Sequence, residues 1–298
     1  MSPREWPYPQ PSAGTTLILS TDLHHGRRPF TANQLDRAGA ELDSMMRWAD
    51  GHIIGGDLIH WGVPGSPEDA AYVAWENARK AANPTKPIVR VAGNHDVASF
   101  ADPFPYRTIA QWRAVTGFAQ HNTVTDIGAL RVIGIAPDEW RFVHVGPMNL
   151  PPATLDWLDA QLAGSSRPCL VLTHPPIKEQ YSGNVDDLTS ARIASIIAAR
   201  PSLVAWVSGH RHCNINTDMN HVKTLAYGGR NIAAINGPAA GGQITGSTND
   251  PWDSQLHAMA ITYSAGRVTT RWRNLLTRQW VRHNGELSKT LTISKFGS

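Results

Sequence analysis

The chain has 298 residues, of which 41% are hydrophobic and 17% charged, with a formal net charge of +3 and a pI of about 9.0. That is ample for a sizeable core, in one large domain or two small ones, and the mild basicity permits an anionic substrate without requiring nucleic acid. Two cysteines, Cys169 and Cys213, in neither a CxxC nor a zinc-finger spacing argue against a disulfide framework.

The N-terminal "MSPREWPYPQPSAG" is Pro-rich and polar and has no apolar core of signal-peptide length. No apolar run approaches the roughly 20 residues that cross a bilayer. We therefore expect a cytoplasmic protein with no membrane partner. "TTLILS" (15–20) reads as a strand and runs into "TDLHHG". The next run, 31–50, reads as a helix capped by Thr31, with Leu35, Leu42, Met45 and Met46 on one face. "HII" (52–54) is a short strand running into "GGDLIH". "SPEDAAYVAWENARKAA" starts a helix at Ser66, with Pro67 in the first turn. "PIVRVAG" is a strand again, followed by "NHD".

"TVTDIGALRVIGIA" suggests a hairpin, and "LPPATLDWLDAQLAG" a capped helix closed by Gly164. "PCLVLT" is a strand ending in "HPP", "LTSARIASIIAARP" a helix, and "LVAWVS" a strand ending in "GHRH". The final 70 or so residues read as mostly β, with a Gly-rich loop at 238–252. Strand–helix alternation followed by strands argues for a mixed α/β sandwich. We expect one domain over 1–298, with a motif-bearing core at 15–215 and a mostly β part at 220–298.

Five predicted strands thus end in a polar cluster. In α/β sheets ligands bind in the crevice beyond the strands' carboxyl ends. Asp22, His24, Asp57, Asn94, His95, His174, His210 and His212 are sent to one edge. They offer oxygen and nitrogen donors with no thiolate. Two four-ligand shells can be counted: Asp22, His24, Asp57 and His212, and Asp57, Asn94, His174 and His210. Asp57 has two carboxylate oxygens and can bridge them. Imidazole with carboxylate suits Zn, Fe or Mn better than Ca or Mg.

The set "DLH" (22–24), "GDLIH" (56–60), "GNHD" (93–96), "THPP" (173–176) and "GHRH" (209–212), in this order, resembles the calcineurin-like metallophosphoesterase superfamily. Within it, "THPPI" and the segment from "VIGIAPD" to "LPPATLDWLDAQLA" look like the cyclic-nucleotide and glycerophosphodiester phosphodiesterase branch. The resemblance implies a four-layer α/β/β/α sandwich with two mixed β-sheets. It implies two metal ions bridged by a hydroxide that attacks a small phosphate ester in line with the leaving alkoxide. It also implies that His95 stabilises the transition state or protonates the leaving oxygen.

A DNA nuclease of the double-strand-break repair type is the second enzyme reading, since its second motif often also ends in histidine. A non-catalytic scaffold of the same fold is the third; such a protein is expected to lose ligands, and here every position is filled.

Other residues have plainer readings. Asp96 closes the turn after His95, with a catalytic role as the alternative. His25 lies beside the ligands or touches substrate phosphate. His52, His121, His144, His221, His257 and His283 are read as ordinary satisfied histidines, and Cys213 as a packing residue. The Arg- and Trp-rich stretch 266–283 reads as a terminal hairpin with arginines on its solvent face, or as a surface stacking nucleic-acid bases on Trp272 and Trp280. His60 is the departure from pattern. Many relatives have aspartate there, where it can hold the catalytic histidine. We expect His60 to orient His95 rather than bind metal, favouring its imidazolium less than an aspartate would. The alternative is a ring pointing out beside Trp61.

Overall fold

Strand β1 (Thr15–Ser20) is buried on both faces, as a central parallel strand must be. Its alternation sorts its side chains into two layers. Leu17 and Leu19 enter the core between the two sheets, and Ile18 enters the core beneath the first helices. A computed structural model of the chain describes residues 14–25, 31–60, 63–97, 107–117, 120–135, 150–180, 188, 191–213, 221–238, 256–282 and 285–296. Trp61, His144, His283, the stretch 239–252, the "PD" of "VIGIAPD" and the Cys213 side chain lie outside the described residues.

Helix α1 (Ala32–Trp48) begins with a reciprocal cap. Thr31 Oγ1 accepts from the Gln34 N–H at 3.3 Å, and the Thr31 N–H donates to Gln34 Oε1 at 2.9 Å. Leu35, Leu42, Met45 and Met46 are all buried against the first sheet, as the periodicity predicts. Strand β2 (Gly51–Ile54) leads to α2 (Pro67–Ala82), capped by Ser66, and then to the short β3 (Ile88–Arg90). Helix α3 (Ile109–Thr116) is not among the predicted elements. The predicted hairpin is β4 (Thr123–Ile127) with β5 (Leu130–Gly134). Helix α4 (Pro152–Ala163) is closed by Gly164 as predicted, its N–H donating to Ala160 O at 3.0 Å, but at the start Pro151 gives it no side-chain cap.

Strand β6 (Cys169–Leu172), helix α5 (Ala191–Ala199) and strand β7 (Leu203–Cys213) follow as predicted, β7 running further than its apolar part. The remainder is β8 (Val222–Tyr227), β9 (Arg230–Pro238), β10 (His257–Ser264), β11 (Arg267–Asn274), β12 (Gln279–Val281) and β13 (Lys289–Thr292).

One sheet has the order β12-β11-β10-β1-β2-β3, with β13 also on β11, and the other β4-β5-β6-β7-β9-β8. Both are mixed. In the first, β1, β2 and β3 are parallel and β10 is antiparallel to β1; in the second, β5, β6, β7 and β9 are parallel. Leu170, Leu172, Ala205 and Val207 face the inter-sheet core, while Val171 and Trp206 face α4 and α5. Two sheets face to face with helices outside each make the four-layer α/β/β/α sandwich. Each fully buried Leu or Ile contributes about 1.5–3 kcal/mol, so the central layer fixes how the two sheets stack. It therefore fixes where their strand ends meet.

In the stretch 266–283, Trp272 is fully buried in the inter-sheet core. Trp280 packs on the helix layer with the Arg273 guanidinium 5.3 Å from its ring centre. Arg273 itself donates to Glu41 at 2.9 and 2.6 Å. These rings hold the hairpin to the body, and the exposed arginines, Arg267, Arg278 and Arg282, lie on the hairpin's solvent side.

Candidate metal centre

The parallel ladder of β1 and β2 continues past both strand ends. Asp22 N–H donates to Gly56 O at 2.9 Å, His24 N–H to Asp57 O at 3.0 Å and His25 N–H to Leu58 O at 2.9 Å. This zipper brings "DLH" beside "GDLIH". Gly209 N–H donates to His174 O at 2.8 Å, which does the same for "THPP" and "GHRH" on the other sheet.

The backbone is strained where the side chains converge. Among the described residues six non-glycines have positive φ, and five are here: Asp22 (53°), His24 (45°), Asp57 (52°), His210 (72°) and His212 (46°). Each costs about 1–3 kcal/mol and persists only where surrounding structure over-determines it. Gly93 and Gly209 show how tight that surrounding is. A Cβ on Gly93 would lie 2.1 Å from Asp57 Oδ1, and one on Gly209 would lie 1.9 Å from Thr21 Oγ1 and 2.7 Å from Asp22 Oδ2. Gly209→Ala is expected to push Thr21 and Asp22 apart, destabilising the chain by about 1–3 kcal/mol and emptying the cluster around Asp22. Thermal unfolding together with metal content per chain checks this; a variant with unchanged values on both counts overturns it.

Two clusters result. In the first, His24 Nε2 lies 2.8 Å from His212 Nε2 and 3.7 Å from Asp57 Oδ2, and His212 Nε2 lies 3.2 Å from Asp22 Oδ1. In the second, His174 Nε2 lies 3.2 Å from Asp57 Oδ2 and 3.0 Å from Asn94 Oδ1, and His210 Nδ1 lies 3.0 Å from that same amide oxygen. The structure brings together all seven residues predicted to hold metal.

It also refines how Asp57 is shared. The expectation was one oxygen for each shell. Instead Oδ2 faces both clusters, and Oδ1 accepts the His95 main-chain N–H at 2.8 Å. Asp22 is less cleanly divided. Its Oδ2 accepts from Thr21 Oγ1 at 2.7 Å, the His210 N–H is shared between Oδ2 at 3.0 Å and Oδ1 at 3.1 Å, and Oδ1 also faces His212 Nε2 at 3.2 Å.

The electrostatics suit a cation. Burial alone would raise Asp22 and Asp57, but His212 beside the first and His174 beside the second outweigh it and hold both carboxyls below the usual range. Burial and neighbouring His212 push His24 well below the ordinary imidazole value, and burial and His174 bring His210 down to about 3. These are neutral rings with lone pairs to give. Burial would also lower His174, but Asp57 dominates and holds it up at about 9. Its Nδ1 lies 2.7 Å from Gly55 O. That bond keeps a proton on Nδ1 and turns Nε2 to the cluster, where a cation would replace the second proton. His212 Nδ1 is buried with no hydrogen-bond partner among the described residues. The donor set of imidazoles, carboxylates and one amide oxygen fits Zn, Fe or Mn.

Asp96 has a structural task. Its carboxylate accepts four main-chain N–H groups, from Asp57 and Gly93 at 2.8 Å each, Leu58 at 2.9 Å and Ile59 at 3.3 Å. Burial and the Asp57 charge push it up to about 7, against bonds that favour the anion. It closes the turn and clamps the Asp57 loop. His25 is half-buried; it bridges to Ile59 through its main chain and joins neither cluster. Of the described histidines outside the motifs, His52, His221 and His257 are buried, and none of those described joins a cluster.

His95 Nδ1 lies 2.7 Å from the His60 carbonyl oxygen. The expected orientation of His95 therefore comes from the main chain of His60. The His60 ring stacks on His95 with centroids 5.2 Å apart and planes at 19°, and its Nδ1 lies 3.3 Å from His24 Nδ1.

Two supporting residues escape a sequence reading. Thr21 is wedged between Gly55 and Gly209 and donates to Asp22. Asn236, fully buried at the end of β9, donates to Gly209 O and, at 2.9 Å, to Ser208 Oγ, fixing the "GHRH" loop. A hydroxyl just before an acid at a strand end, and an amide in the apolar run "NIAAINGP", are the signals that could have found them.

A sequence profile of the calcineurin-like phosphoesterase family matches residues 15–214. No curated protein matches the chain. Among solved structures, a dimetal phosphatase from Danio rerio is 14% identical with a TM-score of 0.61, over 94% of this chain and 99% of that one. GAP50, the anchor in the inner membrane complex of Plasmodium, is 13% identical with a TM-score of 0.54, over 95% and 90%. At such identities the likeness is one of fold.

Proposed function

Because the chain belongs to the calcineurin-like phosphoesterase family, we propose that it is a dimetal phosphoesterase acting on a small phosphate ester, with a phosphodiester such as a cyclic nucleotide as the leading substrate. The observation that carries this is Asp57 Oδ2, faced by His24 of one cluster and His174 of the other. A single oxygen so placed suits two adjacent ions.

In this reading Asp22, His24, Asp57 and His212 hold one ion, and Asp57, Asn94, His174 and His210 the other. Bound there, the pair supplies Lewis acidity and a nucleophilic water near neutral pH. The chain's own residues do the rest. The left-handed backbone at five of these positions aims donors without rearrangement on binding. The Gly55 carbonyl fixes His174, and Thr21 and the His210 N–H fix Asp22. His95, held through Nδ1, presents its ring beside the shared carboxylate and supplies the leaving oxygen's proton.

The fold serves both a phosphatase and an anchor among the similar structures, so it does not by itself imply turnover. The complete donor set favours the enzyme over the scaffold. A nuclease reading gains little from 266–283, where Trp272 is enclosed and Trp280 is packed under Arg273. No helix among the described residues is long and apolar enough to cross a membrane.

The test is a phosphoester panel on metal-loaded protein with metal analysis: cyclic nucleotides, glycerophosphodiesters, nucleoside monophosphates and single-stranded DNA. Turnover is expected to be highest on a small diester. Two bound ions with no turnover of any ester, nitrophenyl diesters included, overturns the enzymatic reading.

A further inference from the structure

His24 is 2% exposed, so neither of its ring nitrogens has ready access to water. Its Nε2 is turned into the first cluster, toward His212 and Asp57. Its Nδ1 meets Nδ1 of His60 at 3.3 Å. A neutral imidazole carries one proton. If Nε2 is to offer a lone pair, that proton is on Nδ1, and a buried N–H needs an acceptor. His60 Nδ1 is the atom placed to accept it, which leaves His60's own proton on Nε2.

We infer that His60 is a positioning residue for the first metal site: its Nδ1 accepts the His24 Nδ1–H and so fixes the tautomer whose Nε2 faces the ion. This rests on the dimetal reading above. The same residue accepts from His95 through its carbonyl oxygen and stacks on the His95 ring. One short segment thereby ties the first ion's imidazole to the histidine placed at the leaving group. The rings of His24, His60 and His95 also lie close enough to hold an ion of their own. That arrangement would strip the Nδ1 proton from His24 while its Nε2 is engaged, and His95 Nδ1 is already committed to a carbonyl. The hydrogen-bonded arrangement leaves His24 a neutral ligand.

His60 is half-buried and tolerates substitution better than a core residue. His60→Phe keeps a ring for the stack and the carbonyl for His95, but removes the acceptor. His60→Gln offers an amide oxygen in its place, and His60→Ala serves if the phenylalanine variant does not fold. The measurement is Mn(II) affinity and stoichiometry by titration in a metal buffer. Asp22→Asn, which alters a carboxylate belonging to the first cluster alone, identifies which ion is which. Expected is a first-site affinity weakened by about 10–100-fold in His60→Phe and in His60→Ala. The second site stays unchanged, and His60→Gln recovers most of the loss.

Wild-type affinity at both sites in His60→Phe overturns the inference, as does equal weakening of both sites. A third ion bound by the wild type and lost in His60→Phe overturns it too, making His60 a ligand. A wild-type chain that binds no Mn(II) overturns the dimetal reading itself, which separates the two failures.

Discussion

Asp57→Asn is expected to lose both ions together, taking metal content from two per chain to near zero and activity down by at least about 10³-fold. The argument lies in how the carboxylate is divided. Oδ1 accepts the His95 main-chain N–H at 2.8 Å, and that bond demands an oxygen. In the asparagine variant the amide oxygen takes this place. The nitrogen then falls where Oδ2 stood, between His24 Nε2 and His174 Nε2. It has no lone pair to give and presents N–H groups to both clusters. Asp57→Ala removes the donor altogether and is expected to match it. Asp22→Asn, by contrast, should cost one ion and leave the second. Removing one partner of the buried Asp57–His174 pair also destabilises the apo chain, by about 3–5 kcal/mol. Thermal unfolding in chelator is therefore measured beside elemental analysis. An Asp57→Asn chain that holds two ions overturns the shared-oxygen assignment.

Much of this was legible in the sequence, for a physical reason. A parallel strand buried on both faces is a short apolar run, and a polar cluster abruptly after it stands out. That contrast located "DLH", "GDLIH", "GNHD", "THPP" and "GHRH". Periodicity located α1 and α2 because Thr31 and Ser66 are strong caps. Helix α3 was missed although Thr108 and Gln111 form a reciprocal cap and Gly117 ends it at φ 77°. Eight residues bury little more than Trp112 and Thr116, too few to make an apolar stripe. The apportioning of oxygens was not legible. Which oxygen of Asp57 bridges depends on the His95 main chain, 38 positions away. The side chain of His60 lies beside His95 as expected, with the two rings stacked at 5.2 Å; not legible was that the zipper between the two loops brings His24 to its Nδ1 and leaves its carbonyl oxygen to accept from His95.

His95→Asn should separate leaving groups. His95 is fixed at three points that act on different atoms. Its N–H donates to Asp57 Oδ1, its Nδ1 to the His60 carbonyl at 2.7 Å, and its ring meets the His24 edge at 4.7 Å and 82°. The first bond belongs to the main chain and survives the substitution, so Asp57 keeps its orientation and two ions should still bind. With Nδ1 committed, Nε2 is the atom available for proton transfer. An alkoxide leaves poorly without a proton, and losing the acid should lower kcat on a cyclic nucleotide or glycerophosphodiester by about 10²–10⁴-fold. A nitrophenolate is already a weak base and needs no proton, so the same variant should lose only about tenfold or less on a nitrophenyl diester. Equal losses on both substrates, at unchanged metal content, would mean that His95 steadies charge in the transition state without giving a proton. A drop in metal content would instead show that the ring, and not only its main chain, holds Asp57 in place.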